Sequence, residues 1–350
     1  MTIYILNFIM IGIYYIIYRI FKNYNYTTKK VFISLITTQL ILVLAFRNYS
    51  VGVDIAGYIN YFKYILPFYD LNQLMEFRQE IGYTMFVQFI GMFTNNEQIF
   101  LTIIAVFSIA PVGIFIYKYS KMPFLSFALY ISMNYYSFVF SGLRQAIAYA
   151  VVFSSYGFII NKQLFKFVLC VVFASLFHKS ALIFLPAYFL AKLKINKFTI
   201  LGMIIFDGII FLFRKAIFLV LANTFYDAYE LVESSAFTMM FLCLLIVMCG
   251  LPFYKRVISV SESNSILYIF IIIGVSLMIF ASMGTNVMRV AEYYYMFVII
   301  FIPEVMNAIR NKPIVILSGY ILMILMFVVY LWFLYHDGFS IVPYKFFWEV

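Results

Sequence analysis

The sequence has few charged residues and few cysteines, and these shortages exclude most classes of soluble protein. Only 11% of the 350 residues are charged and 66% are hydrophobic, with a mean hydropathy of +1.01. Such a chain has no room for a soluble domain and predicts membrane-spanning helices of about 20 residues each. The three cysteines, Cys170, Cys243 and Cys249, lie in apolar runs without a CxxC pair. Neither a disulfide framework nor a zinc site is therefore indicated.

Motifs for nucleotide, cofactor and metal chemistry are also absent. The sequence has no Walker A loop, no GxGxxG, HExxH or GxSxG motif, and no DxD pair to hold a sugar nucleotide through a divalent metal. We therefore expect no metal and no cofactor, so the energy for any reaction must come from the substrate. The net charge of +10 does not indicate nucleic acid, because no basic face carries it. Cytoplasmic loops that meet anionic lipid account for this charge.

The apolar runs predict an all-α, polytopic integral membrane protein that forms a single domain over residues 1–350. The number of runs predicts about 12 transmembrane helices. Longer outer loops are expected near 47–96 and 214–236. The N-terminus lacks a signal-peptide pattern, so the first run is expected to be an uncleaved span that begins outside. The predicted spans are 3–21, 31–46, 97–117, 123–140, 143–160, 164–177, 180–191, 198–213, 237–254, 265–283, 290–308 and 313–334.

Lysine and arginine collect in cytoplasmic loops, and this bias orients the predicted spans. It places the loops at 118–121 and 192–197 inside and both termini outside. Segment 81–93 is apolar but short for a span, so it is expected to be re-entrant or interfacial; the alternative is a short, tilted span. Segment 215–232 is expected to form an outer lid or an interfacial helix.

The outer loop at 47–80 contains an amphipathic pattern. Apolar residues recur there at three- and four-residue spacing, with Asn60 and Lys63 on the opposite side. This pattern predicts a helix that lies in the membrane plane. The apolar positions are Ile55, Tyr58, Ile59, Phe62, Ile65 and Leu66.

Four cations fall at predicted outer helix ends, against the usual bias: Arg47, Arg144, Lys179 and Arg289. An ionisable group at such a position is a functional-site hypothesis, and several arginines together favour a phosphate ligand. Arg144 and Gln145 begin a predicted span, where the helix dipole disfavours a cation, so a bound anion explains Arg144 better than local sequence does. Arg289 and Glu292 share a helix face and could simply form an ion pair.

Three residues are candidates for a general base: Asp54, Glu80 and His178. Asp54 could instead cap the amphipathic helix, and His178 could be a polar boundary residue. Asp54 and Glu80 bracket the amphipathic segment, and only close contact between them would raise the pKa of one carboxyl toward neutrality. The sequence leaves these alternatives open. The second histidine, His336, is expected to be a plain surface residue.

Several short motifs, taken in order, resemble those of the EpsG-like family of bacterial exopolysaccharide proteins, which is related in role to the Wzy-type polymerases. The resemblance covers nearly the whole chain. It rests on the R–x4–G–x–D–x3–Y block from Arg47 to Tyr58, Glu80 before Gly82 and Tyr83, Arg144 and Gln145 with Ala146 and Ala148, Phe177 and His178 with Ser180, Arg289 before Tyr293, and Pro343 with Tyr344.

The resemblance implies a membrane glycosyltransferase that polymerises oligosaccharide repeat units carried on undecaprenyl diphosphate. It would act at the outer face of the bacterial cytoplasmic membrane, by inverting transfer without a metal. Arg47, Tyr58, Arg144, Gln145, Lys179, Arg289 and Glu292 would bind the substrate. The partners would be the lipid-linked oligosaccharide, membrane lipid, and a flippase and chain-length regulator. Two alternatives remain: a transporter of lipid-linked glycans, and a non-catalytic scaffold in an assembly complex.

Overall fold

The computed structural model describes residues 1–21, 26–65, 79–225, 237–283 and 285–349. The fold is all-helical, as the apolar runs predict: 79% of it is helix, and the described residues form no β-strand. Leu66 of the amphipathic pattern and residues 226–232 of the predicted outer lid lie outside the described residues.

Within the described part of the chain, six helices are long and apolar enough to cross a membrane. They are Thr2–Ile20, Thr27–Ala45, Glu97–Tyr119, Leu143–Ile160, Met240–Val260 and Lys312–His336. The described residues also form five shorter apolar helical segments. Four occupy other predicted spans, Pro123–Ser132, Leu164–Ser175, Lys179–Leu190 and Asn264–Phe280, and the fifth, Ile81–Gly91, occupies the segment predicted to be re-entrant or interfacial. The fold is therefore that of a polytopic membrane protein, and the count of about 12 spans stays a prediction.

The chain divides into two compact units. The first comprises residues 1–182 and 311–350, and the second comprises residues 183–310. The helices of the first unit are α1 (Thr2–Ile20), α2 (Tyr26–Ala45), α3 (Ile55–Ile65), α4 (Ile81–Gly91), α5 (Glu97–Tyr119), α6 (Pro123–Ser132), α7 (Tyr135–Phe138), α8 (Leu143–Ile160) and α9 (Leu164–Ser175), with the long C-terminal helix Lys312–His336.

The second unit contains one helix that is longer than predicted. After the 3-10 turn Lys179–Phe184, which straddles the unit boundary, come α10 (Ala187–Leu190) and α11 (Lys197–Phe225). Helix α11 runs without a break past residue 214 and through the first part of the predicted lid, and the outer loop near 214–236 stays a prediction. Its apolar sequence continues past Arg214 and Lys215, which allows the helical hydrogen bonding to continue as well. The remaining helices are α12 (Phe237–Gly250), α13 (Tyr254–Val260), α14 (Asn264–Leu277), α15 (Thr285–Tyr295) and α16 (Val298–Ala308), and Lys312–His336 is α17.

The first unit has one end rich in lysine. Lys29 Nζ, at the start of α2, donates to the carbonyls of Tyr117 and Ser120 at the end of α5 (3.0 and 3.1 Å). Helix α8 runs parallel to α5, because Gly157 near its C-terminus approaches the hydroxyl of Tyr119 at the C-terminus of α5. We call this the lysine end; it also carries Lys30, Lys118 and Lys121.

The opposite end of the first unit holds the chain segments that the sequence predicted to lie outside. There the Gln98 amide at the start of α5 donates to the Ala45 carbonyl at the end of α2. The Tyr4 hydroxyl donates to the Ile341 carbonyl at 2.7 Å, which places the N-terminal end of α1 and the C-terminal tail together. The start of α8, with Arg144, lies at this end too, because α8 runs parallel to α5.

Helix α4 enters and leaves the first unit at this same end. It begins after Glu80 and ends at Gly91, and the chain then reaches Glu97, where α5 begins at this end. Eleven residues rise about 16 Å, half of the roughly 30 Å hydrocarbon core. Phe86 contacts Phe107 of α5 at 5.0 Å between ring centroids, so α4 packs along α5 within the unit. A short helix with this connectivity has the geometry of a re-entrant or interfacial segment.

Helix α3 confirms the amphipathic helix predicted after residue 54. Ile55, Ile59 and Phe62 are buried, whereas Asn60 and Lys63 are exposed. Ring stacking of Phe62 on Phe100 of α5, at 4.5 Å, fixes this helix against the body of the unit.

Candidate functional site

Three residues from separate parts of the chain form an ionic cluster at the end of the first unit opposite the lysines. Arg144 Nη1 forms an ion pair with Glu80 Oε2. The other carboxylate oxygen, Glu80 Oε1, lies 3.0 Å from His178 Nδ1 and also accepts the backbone N–H of Lys179 at 3.3 Å. The Glu80 side chain is 9% exposed, while those of Arg144 and His178 are 26% and 29% exposed. The cluster is therefore anchored by a buried carboxylate and open on its cationic and imidazole sides.

Close backbone approach brings Glu80 to His178. The N–H of Tyr83 donates to the Leu176 carbonyl at 3.2 Å. Between them, Gly82 lies so near Leu176 that a β-carbon on Gly82 would come within 2.5 Å of Leu176 Cβ. Only glycine permits this contact between the first turn of α4 and the chain that leads out of α9.

Electrostatics keep Glu80 ionised. Burial by itself raises the pKa of this carboxyl, but the hydrogen bond with His178 and the positive charge of Arg144 outweigh burial. The net result is a pKa lowered to about 2. Asp54 is not among the groups that shift the pKa of Glu80, so the predicted rise toward neutrality does not occur. A carboxylate held this firmly is a poor proton acceptor near neutral pH and a good partner for an imidazole.

Arg144 has a protein partner that local sequence does not show, since Glu80 pairs with it from 64 residues away, and the bound anion stays a prediction. Arg144 Nε also donates to the Tyr58 hydroxyl at 3.4 Å, with the guanidinium 6.0 Å from the ring centroid. A guanidinium carries five N–H donors, so these two contacts leave donors for a further anion.

Tyrosines and a threonine form one wall of the cluster. Tyr83 is fully buried and packs edge-on against Tyr58 at 5.8 Å between ring centroids and parallel to Tyr61 at 6.2 Å. The hydroxyls of Tyr61 and Thr84 are 2.6 Å apart, and Thr84 donates to the Glu80 carbonyl. The predictions from sequence missed Tyr61, Tyr83 and Thr84. The helical spacing of Tyr61 three residues after Tyr58, and of Thr84 four after Glu80, was the available signal.

Arg47 occupies a different place. It is 1% exposed, and its guanidinium lies 5.0 Å from the centroid of the Phe140 ring. The backbone of Arg47 pairs with Phe346 of the C-terminal tail. Burial lowers the pKa of Arg47 to about 10. Among the described residues, Nε and Nη1 of this guanidinium find no hydrogen-bond partner.

Three other predicted site residues of the first unit differ in their exposure to solvent. Asp54 is exposed, one turn before Tyr58 at the start of α3, and its carbonyl accepts the Tyr58 N–H. The Lys179 side chain is exposed beside the cluster. Gln145 is buried, and its amide donates to the Tyr149 hydroxyl at 2.7 Å within α8. The structure thus brings Glu80, Arg144, His178 and Tyr58 together, with the Lys179 backbone, and directs Gln145 elsewhere.

Arg289 and Glu292 belong to the second unit. Both lie on α15, three residues apart, and both are half-buried. Across the described ranges, no group of three or more His, Cys, Asp or Glu side chains could hold a metal ion.

These features define an integral membrane protein with an arginine, carboxylate and imidazole cluster at one end of a helical unit. The model of the EpsG family matches residues 30–346, most of the chain. The protein therefore belongs to the EpsG family, a family of Wzy-like polysaccharide polymerases. Comparisons with curated proteins and with solved structures found no match.

Proposed function

We propose that this chain joins oligosaccharide repeat units carried on undecaprenyl diphosphate, at the outer face of the bacterial cytoplasmic membrane. Family membership supports the polymerase role. The observation that supports the chemistry is the Arg144, Glu80 and His178 cluster at the end of the unit away from the lysines. Positive charge collects on the cytoplasmic side of membrane proteins, so the cluster end is assigned to the outside.

Arg144 has the role of holding the donor diphosphate. Its remaining N–H donors fit phosphate oxygens in a fixed, planar geometry. As the bond from the anomeric carbon to the diphosphate oxygen breaks, negative charge grows on the leaving diphosphate, and a fixed cation stabilises that charge. The exposed Lys179 adds a second positive charge beside it. The diphosphate is a good leaving group, so the transfer needs neither a metal nor a nucleotide.

His178 has the role of general base, with Glu80 as the positioning residue. When Nδ1 carries the proton and donates it to Glu80 Oε1, the lone pair of the ring lies on Nε2. Nε2 then accepts the proton of an acceptor sugar hydroxyl as the hydroxyl oxygen attacks the anomeric carbon. The electron pair of the broken bond leaves with the diphosphate, and the configuration at the anomeric carbon inverts. The ionised Glu80 stabilises the imidazolium that forms, as a carboxylate does for the histidine of a hydrolase triad.

Asp54 has no part in this assignment. It is exposed, and Glu80 rather than Asp54 lies against the imidazole. Arg289 and Glu292 keep the proposed role of substrate contacts, argued from sequence alone.

Reconstitution tests the function directly. The purified chain is placed in liposomes with lipid-linked repeat units, extracted from cells that lack this chain, in the presence of a metal chelator and without any nucleotide sugar. Longer lipid-linked chains are expected. Movement of the units across the bilayer without elongation would instead support a transporter. If the purified chain does neither, a scaffold role follows and the polymerase proposal falls.

A further inference from the structure

The first unit has a cavity at the same end as the ionic cluster. It lies on a different side of helix α3 from Tyr58, which faces the cluster. Its volume is about 400 Å³, within the usual range for small-molecule sites. Ile59 of α3 and Leu101 of α5 are buried and form its apolar floor. We call it the amide pocket, because three side-chain amides line it: Asn95, Asn96 and Gln98.

The protein fixes two of these amides and leaves one atom of each uncommitted. Asn96 Oδ1 accepts the backbone N–H groups of Gln98 (2.8 Å) and Ile99 (3.1 Å), which leaves its NH2 group as a donor. Gln98 commits its NH2 group to the Ala45 carbonyl, which leaves its oxygen as an acceptor. The pocket lining therefore includes one pre-positioned donor and one pre-positioned acceptor. A ligand hydroxyl both donates and accepts and would satisfy this pair.

Aromatic rings complete the lining. Tyr49 is 58% exposed and Phe347 is 45% exposed, and both line the pocket. A ring face of this kind packs against apolar C–H groups. A sugar ring has hydroxyls at its edges and apolar C–H groups on its faces. The amides complement the hydroxyls, and the aromatic rings complement the apolar faces.

Charge argues against a phosphate ligand in this pocket. Glu97 supplies a carboxylate to the lining, and Lys63 pairs with it. The two charges balance, so the pocket offers no excess positive charge of the kind that a diphosphate requires. A lipid chain would offer no hydrogen bond to the uncommitted amide atoms, which is unfavourable.

We propose that the amide pocket binds a neutral sugar residue of the glycan on which the polymerase acts. This inference rests on the proposed function. Helix α3 directs Tyr58 toward Arg144 and Ile59 toward the amide pocket, so the two sites lie about one helix diameter apart, on the order of 10 Å. A glycan whose diphosphate is held at Arg144 would extend around α3 and place a sugar in the pocket.

Direct binding provides the test. The probe is the free oligosaccharide repeat unit, released by mild acid from the lipid-linked pool of the source cells, and binding to the purified chain is followed by saturation-transfer NMR. Loss of one ring contact or one amide should weaken binding about tenfold, so Tyr49→Ala and Asn95→Ala should both bind less. Phe93→Ala is the control, because Phe93 is an aromatic residue of the loop that carries Asn95, is 75% exposed and lies outside the pocket lining.

The outcomes separate the two proposals. Equal binding by wild type, Tyr49→Ala and Asn95→Ala, or no binding by wild type, would overturn the pocket assignment whether or not the chain polymerises. If Phe93→Ala lost as much binding as Tyr49→Ala, the effect would come from exposed aromatic residues in general and not from the pocket. That result would also overturn the assignment. If binding depends on Tyr49 and Asn95 while reconstituted wild type forms no polymer, the pocket stands as a glycan site and the polymerase proposal fails.

Discussion

Glu80 Oε1 lies 3.0 Å from His178 Nδ1, which joins two residues 98 positions apart in the chain. The contact decides how the two can share a proton transfer. A carboxylate whose pKa is lowered to about 2 stays ionised at neutral pH and orients the ring. The imidazole is left to exchange the proton.

The role of His178 predicts a specific loss of elongation. His178→Ala removes the base, so the rate of polymer elongation should fall by roughly 10²- to 10⁴-fold, while binding of the lipid-linked donor is kept. Both are measured on the reconstituted chain. His336→Ala is the control, since His336 is the other of two histidines and is exposed. Normal elongation by His178→Ala would remove His178 as the base and return the assignment to a carboxylate.

Arg144→Lys tests the phosphate contact. Lysine keeps the charge but loses the planar fork, so elongation should fall roughly ten- to a hundredfold, with normal amounts of protein in the membrane. Polymer yield and membrane abundance are measured together. Arg19→Lys, an exposed change in α1, should have no effect. Wild-type polymer yield from Arg144→Ala would exclude Arg144 from the site.

The lowered pKa of Glu80 predicts a pH-dependent contribution to stability. Because the folded pKa lies below the ordinary value of 4.5, the contribution is fully present above about pH 4.5 and is lost as the pH falls toward 2. Glu80→Gln should therefore lower the thermal midpoint in detergent at pH 7, and the difference from wild type should shrink between pH 4.5 and 2. The exposed Glu262→Gln is the control. A difference that stays constant over this pH range would contradict the assigned electrostatics.

Gly82 and Gly57 form a matched pair of glycines. A β-carbon on Gly82 meets Leu176, whereas one on Gly57 meets nothing within 4 Å. Gly82→Ala should push α4 away from the His178 segment, at a cost of about 1–3 kcal/mol in unfolding free energy, and should reduce elongation. Gly57→Ala should be neutral or slightly stabilising. Both are compared by thermal unfolding and elongation assay, and equal behaviour would show that the close approach is not required.

Sidedness is tested by cysteine labelling in a background without the three native cysteines. Lys121→Cys at the lysine end should react with a membrane-impermeant maleimide only after the cells are opened, because lysine-rich ends face the cytoplasm. Asn60→Cys on α3 should react in intact cells. Labelling of position 121 from outside would invert the orientation and, with it, the assignment of the cluster to the outer face.

The sequence by itself determined the class of protein and many of its helices. High hydropathy and few charges leave a chain no stable fold in water, so a polytopic helical membrane protein follows from composition alone. The three- and four-residue spacing of Ile55, Ile59 and Phe62 was enough to predict α3, because helical periodicity is a local property. The ordered short motifs carried the family resemblance, which the match over residues 30–346 confirms.

Only the tertiary structure decided which candidate residues meet. Arg47 and Arg144 look alike in sequence, yet one is buried against Phe140 and the other pairs with Glu80. Glu80 pairs with Arg144, 64 residues away, and with His178, 98 residues away. Both contacts depend on how α4, α8 and α9 pack, and no local sequence pattern encodes that packing. A pKa depends on the charges that surround a group. The ionised state of Glu80 could therefore be predicted only after the structure placed Arg144 and His178 beside it.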